Sequence, residues 1–255
     1  RLLKTLNIYP YILILVMVIF IAIIYFALRA SKKAEQNRLW VGLSKETAHQ
    51  LGTPISSLMA WLQLLEAEGV DKETVREMDK DVNRLSTIAS RFSKIGSRPS
   101  MEPMEINGVV SQAVNYMKSR ISRRISLTFT SSSSSVEANL SAPLLEWVME
   151  NLIKNAVDAM DGQGAITVKV KSTYDKAVIT VSDTGKGMTR KQRSDIFKPG
   201  YSTKKRGWGL GLTLARRIIT QYHGGRIYVS DSQPGIGTTF TIELPLTSTP
   251  ATPDA

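Results

Sequence analysis

The sequence predicts a multi-domain chain: a transmembrane helix, an antiparallel helical hairpin that pairs with a second copy as a dimeric four-helix bundle, and an α+β two-layer sandwich. Three observations predict it. Residues 8–28, IYPYILILVMVIFIAIIYFAL, carry no charge. Apolar residues then recur at threes and fours through 31–95, interrupted at Gly69-Val70-Asp71. Beyond a stretch bearing glycine and proline, Gly96–Pro103, helical periodicity mixes with period-two runs.

Each element has its own reason. About 20 apolar residues at ~1.5 Å rise match a bilayer core of ~30 Å. The run 8–28 is too long for a signal-peptide core, and no small-residue cleavage site follows it. Tyr9, Tyr11 and Tyr25 sit near its ends, and Arg29, Lys32, Lys33 and Arg38 follow, which puts the C-terminal side in the cytoplasm. Over 31–97 the first helix carries Leu39, Leu43, Leu51, Ile55, Leu58, Leu62 and Leu65. The second carries Val75, Met78, Val82, Leu85, Ala89, Phe92 and Ile95. The seam is narrow, as in a coiled coil, and one hairpin cannot bury both halves of it, so a homodimer is expected. So little chain separates residue 28 from Ser44 that a signal would pass as movement of one continuous helix.

The sandwich is expected over 104–246. Residues 107–120 read as a helix, 125–130 as a strand and Ser131–Ser135 as a polar turn. Pro143 opens a helix to about Met160. Strands follow at 165–171 and 177–182, then a helix at 209–222 and a hairpin, 226–231 and 238–244, around Pro234–Gly237. Residues 247–255 read as a tail. Helices on one face of adjacent antiparallel strands make the α+β sandwich.

Composition narrows the chemistry. The 255 residues include 33 Lys+Arg against 22 Asp+Glu, a net charge of +11. No nucleic-acid module and no aromatic-studded basic stripe is present, so the charge points to an anionic membrane face and a phosphate-bearing ligand rather than nucleic acid. The absence of cysteine excludes disulfides and thiolate metal sites. The chain opens on Arg1, not methionine, and reads as a piece of a longer protein.

Four stretches carry candidate chemistry. Asp183-Thr184-Gly185-Lys186-Gly187 ends a strand, where a carboxylate can accept a hydrogen bond from an exocyclic amine and the glycines permit close approach. Gly207-Trp208-Gly209-Leu210-Gly211 precedes a helix, an arrangement that presents backbone N–H groups to phosphates, with Lys204, Lys205 and Arg206 just before it. It is neither a Walker loop nor a dinucleotide fingerprint. Asn151, Asn155 and Asp158 share a helical face, and an amide oxygen can share Mg²⁺ with phosphates. Singly, these are an ordinary turn, a solvated charge run and polar helix surface. The fourth stretch, SKETAHQLGTPISSL at 44–58, holds His49, one of two histidines. The other, His223, ends a helix before Gly224-Gly225 and reads as structural, complementing the helix dipole.

In this order and spacing, Glu150–Asp158, Asp183–Gly187, Phe197 and Gly207–Gly211 resemble the nucleotide domain of sensor histidine kinases, relatives of gyrase, Hsp90 and MutL-type ATPases. AHQLGTPISSL resembles their phospho-acceptor box, and the resemblance covers about residues 31–246. It implies autophosphorylation of His49 from Mg-ATP and transfer to an aspartate of a response regulator receiver domain, at a bacterial inner membrane with the kinase domains in the cytoplasm. It further implies that Asn155 holds Mg²⁺ beside Asn151 and Asp158, and that Asp183 binds adenine. Gly185, Gly187, Lys204, Gly207, Gly209 and Gly211 would form the pocket and its lid. Thr53 would orient water for dephosphorylation of the partner, and Pro54 would bend the helix. Gln50 departs from the family, many of whose members have an acidic residue there. An amide orients an imidazole but is not a base. Two alternatives follow: an ATP-hydrolysing clamp, against which Asn151 stands where clamps carry a glutamate base, and a phosphatase-biased or weakly catalytic homologue.

Overall fold

The computed structural model describes residues 2–96, 99–131, 136–203 and 209–247, apart from the side chains of 2–9, 30, 32–41, 43–45, 84, 88, 91–92 and 94–96. Lys204–Gly207, Ser97-Arg98, most of the serine turn and the tail from 248 lie outside the described residues. So do the side chains of Leu39, Leu43, Phe92 and Ile95. The chain divides into two compact units, residues 1–98 and 99–255.

The first unit is two helices. α1 (Leu2–Ala67) is one unbroken helix that contains Pro10 and Pro54, so Pro54 does not end it. Its segment Pro10–Arg29 is long and apolar enough to cross a membrane. Gly69, at φ +77°, turns the chain, and Asp71 starts α2 (Lys72–Gly96) by accepting from the Thr74 amide at 2.9 Å and hydroxyl at 2.7 Å. These bonds hold the Asp71 carboxyl below its ordinary range.

The seam of this hairpin is half covered. Ile55, Leu62, Val75, Val82 and Ala89 recur at heptad spacing and are only 5–7% exposed. The alternate set, Leu51, Leu58, Met78 and Leu85, also runs at heptad spacing but remains 37–46% exposed. A heptad seam has two apolar positions per repeat, and one hairpin closes one of them.

Among its described residues the second unit has two sheets. β1 (Glu102–Glu105) pairs antiparallel with β3 (Glu137–Leu140). β1 therefore begins inside the stretch expected to be linker. A five-stranded sheet runs in the order β2 (Ile125–Ser131), β4 (Gly164–Ser172), β5 (Lys176–Asp183), β7 (Gly237–Pro245), β6 (Arg226–Gln233). The expectation of antiparallel neighbours fails at one place, because β2 pairs parallel with β4. α3 (Ile106–Lys118) and α4 (Ala142–Asp158) bury their apolar faces in the same core as the sheet. α5 (Arg190–Asp195) was not foreseen. It buries no residue and rests on a capping box between Thr189 and Gln192. The helix expected at 209–222 is α6 (Gly211–Arg217) followed by a π turn, Ile218–Tyr222.

Register fixes what faces the core. Val170, Ile179, Ile242 and Ile227 form one cross-strand row, and Val168, Val181, Phe240 and Val229 the next. The following row is Ile166, Asp183, Thr238 and Ser232. Side chains alternate faces along a strand, so Asp183 points to the same side as Ile179 and Val181.

His223 is structural for a different reason from the dipole argument. It is buried, and its Nε2 accepts from the Ser141 amide at 3.2 Å while Nδ1 donates to the Ile218 carbonyl at 3.0 Å. Accepting at Nε2 requires a neutral ring. It joins the start of α4 to the π turn after α6. Burial depresses its pKa below the ordinary 6.5, more than the bond to the Ile218 carbonyl raises it. The folded state thus resists protonation. This stabilisation is complete above pH ~6.5 and is lost as pH falls below it. The thermal midpoint is expected to drop on going from pH 7.5 to 5.5. His223→Ala should cost ~1–3 kcal/mol at neutral pH, by orphaning two backbone groups, and flatten that pH dependence.

Candidate functional site

Three chain segments meet at the end of β5. The α4 helix ends at Asp158, and the turn 184–187 straps against it, with the Lys186 amide donating to the Ala159 carbonyl at 2.9 Å. A Cβ on Gly185 would stand 2.6 Å from that same oxygen, so the strap needs glycine. The β6–β7 hairpin closes from the other side, the Gly235 amide donating to the Lys186 carbonyl at 2.8 Å. Gly187 sits at φ +63°, where a Cβ would run into the Gln233 carbonyl.

Asp183 is buried there. Its Oδ1 accepts from the Gly185 amide at 2.8 Å. Burial raises its pKa above the ordinary carboxylate value, and hydrogen bonds from the Gly185 and Thr238 amides pull it part of the way back. Thr238 shares a 2.9 Å hydrogen bond with Ser232, which also accepts from the Met188 amide at 2.9 Å.

These elements enclose a cavity of about 510 Å³, lined by Asn151, Asn155, Asp158, Asp183, Gly187, Gly209 and Gly211 among others. That is the size range of small-ligand sites. Asn151 is not an idle neighbour of Asn155: its Nδ2 donates to the Gly211 carbonyl at 2.9 Å and ties α4 to α6. A Cβ on Gly211 would come 2.6 Å from the Asn151 Oδ1, so the tie requires glycine as well. Gly185 does not line the cavity and acts through the Asp183 bond. Lys204 and Gly207 lie outside the described residues.

Lining residues that sequence reasoning missed include Lys154, Lys186, Tyr201 and Thr238. Lys186 lay within a quoted motif and Lys154 one residue before Asn155, so both signals were present. Thr238 becomes visible only through its register with Asp183. Among the described residues, no cluster of three or more His, Cys, Asp or Glu could cage a metal. Asn155, half-buried on the cavity wall, is a neutral oxygen donor. That fits Mg²⁺, which is commonly held by few protein oxygens together with phosphates and water.

His49, Gln50 and Thr53 belong to the first unit, and all three are exposed on α1. His49 and Thr53 line a groove of about 1040 Å³ between α1 and α2. Gln50 does not line it, and its Nε2 donates to Oε1 of Glu46, which does, at 2.7 Å.

Residues 141–248 match the family described as histidine kinase-, DNA gyrase B- and HSP90-like ATPase. The sensor histidine kinase ZraS of Salmonella typhi is 33% identical over 227 residues, covering 86% of this chain and 48% of ZraS. The chain belongs to the sensor histidine kinases. It spans about half the length of the curated relatives it matches. Among solved structures, the catalytic domain of histidine kinase ThkA is 26% identical with a TM-score of 0.52, covering 57% of this chain and 95% of that one. Histidine kinase ThkA in complex with response regulator protein TrrA shares the fold at 21% identity and a TM-score of 0.56, covering 85% of this chain and 65% of that one.

For this kinase-family domain, Gly187→Ala is expected to cost more than the ~1–2 kcal/mol of left-handed backbone strain, because the Gln233 carbonyl must also move. A denaturant midpoint well below wild type, with Gly235→Ala as the left-handed but uncrowded control, would show it.

Proposed function

We propose that the chain is a membrane-anchored kinase that transfers the γ-phosphoryl group of Mg-ATP to His49 and then to an aspartate of a response regulator. One observation supports this above the others: a single chain carries both the ATPase-family cavity and an exposed histidine on a helical hairpin. ATP is the substrate. Asp183, desolvated yet hydrogen-bonded, accepts from the adenine amine. Lys154 and Lys186 lie on the cavity wall as phosphate partners. Asn155 would hold Mg²⁺, which when bound neutralises charge on the phosphates. His49 supplies the nucleophilic ring nitrogen, and Thr53, one turn on, orients the water that dephosphorylates the partner.

The hydrolytic-clamp alternative needs a carboxylate one turn before Asn155. That position is Asn151, and its amide is engaged with Gly211. An amide is no general base, so transfer to a side chain is the better reading. Pro10–Arg29 is the proposed anchor, with the basic residues after it on the cytoplasmic side of a bacterial inner membrane. The exposed heptad set Leu51, Leu58, Met78 and Leu85 supports a homodimer, since a second hairpin would cover it. The ThkA–TrrA complex supports a response regulator as partner.

Incubation with radiolabelled ATP should give an acid-labile, base-stable phosphoprotein. His49→Ala should abolish the label while leaving nucleotide binding intact; a label that survives would assign the acceptor elsewhere. Asp183→Asn is expected to weaken adenine-nucleotide binding at least ~10-fold by calorimetry, from loss of a charge-assisted hydrogen bond worth ~1.5–3 kcal/mol. Leu58→Glu with Leu85→Glu should shift the detergent-solubilised chain from dimer to monomer in sedimentation, each removing ~1.5–3 kcal/mol of apolar burial.

A further inference from the structure

Imidazole chemistry sets a requirement that the residue after His49 does not meet. One ring nitrogen attacks through its lone pair while the other still carries hydrogen. Once the new bond to phosphorus forms, that hydrogen sits on a cationic ring. A base that removes it stabilises both the product and the transition state leading to it. Gln50 cannot serve, because an amide does not take a proton near neutral pH.

Among the described residues, the lining of the groove around His49 holds one other ionisable side chain, Glu46. The α2 wall contributes Ser86, Ala89, Ser90 and Ser93, none of which titrates. Glu46 stands three residues before His49, and side chains at that spacing lie on one helical face. It also stands four residues before Gln50, whose Nε2 donates to Glu46 Oε1 at 2.7 Å. That bond restrains the carboxylate beside the histidine and leaves it a second oxygen with which to accept. The amide at 50 and the carboxylate at 46 therefore act as a pair along one helical turn.

We propose that Glu46 is the proton acceptor for His49 and that Gln50 is the positioning residue that holds it. The proposal rests on the reading of His49 as the phospho-acceptor. A ring nitrogen lone pair attacks the γ-phosphorus of ATP. The N–P bond forms as the bond from γ-phosphorus to the β,γ-bridging oxygen breaks, and ADP leaves with that electron pair. The hydrogen on the other ring nitrogen passes to the Glu46 carboxylate, which gives it up to water. One proton is released for each phosphohistidine formed.

The test is the initial rate of labelling from radiolabelled ATP by the whole chain in detergent or nanodiscs at neutral pH. Glu46→Gln is expected to lower the rate about 100-fold, the scale of general base catalysis, with ATP affinity unchanged. Gln50→Ala should lower the rate severalfold. The swapped variant, Glu46→Gln with Gln50→Glu, should regain at least tenfold over Glu46→Gln alone, because it returns a carboxylate to the same turn. Labelling of Glu46→Gln at the wild-type rate overturns the proposal. So does a loss that the swap does not rescue, since that is a structural defect. A wild-type chain that binds ATP but stays unlabelled overturns the reading of His49 itself, before any variant is compared.

Discussion

Asp183 is a carboxylate on the core side of a sheet, and the second unit is arranged around that constraint. Its register places it one row beyond Val181 and Phe240, so the strand that buries valines also drives an acid out of water. Burying a charge is costly unless it is hydrogen-bonded. The row therefore turns polar at that level, with Thr238 and Ser232 opposite, and the amides of Gly185 and Thr238 aimed at the carboxylate. The glycines of the turn follow from the same demand. Only a chain without Cβ can fold back tightly enough against Ala159 and Gln233 to present those amides.

A second constraint sets the roof of the cavity. Helix α4 carries Asn151 and Asn155 toward it, and α6 carries Gly211. The two helices are fastened by the Asn151 amide on the Gly211 carbonyl, and by buried His223, which bridges Ser141 to Ile218. The π turn at 218–222 lies beside the second fastening and puts the Ile218 carbonyl within reach of the ring. The cavity is thus held by one bond on its own wall and by a second, through His223, that lies away from it.

The hairpin of the first unit follows the opposite rule. Its own packing leaves one heptad position bare, and His49 stands in the open. A proposed phospho-acceptor has to be accessible both to a nucleotide and to a partner protein. Local order around it comes from bonds along the helix, of which Gln50 to Glu46 is one.

Much of this was legible in the sequence, because it depends on local periodicity. The long α1, the break at Gly69, the core strands and the glycine boxes all announce themselves through the spacing of apolar residues and through residues that tolerate unusual backbone. The capping box at Thr189 and Gln192 was also there to be read, although α5 lacks an apolar face to draw attention. Other features belong to tertiary structure, because they depend on which segments meet. The pairing of β1 with β3 recruits Pro103 from an apparent linker, and the parallel pairing of β2 with β4 requires a crossover that no short window reveals. The neutral state of His223 is set by burial and by the amide of Ser141, far away in the chain. The sequence by itself determined the elements and the chemical groups available. Only the tertiary structure decided which of those groups lost water, and hydration is what distinguishes a buried Asp183 from an ordinary turn aspartate.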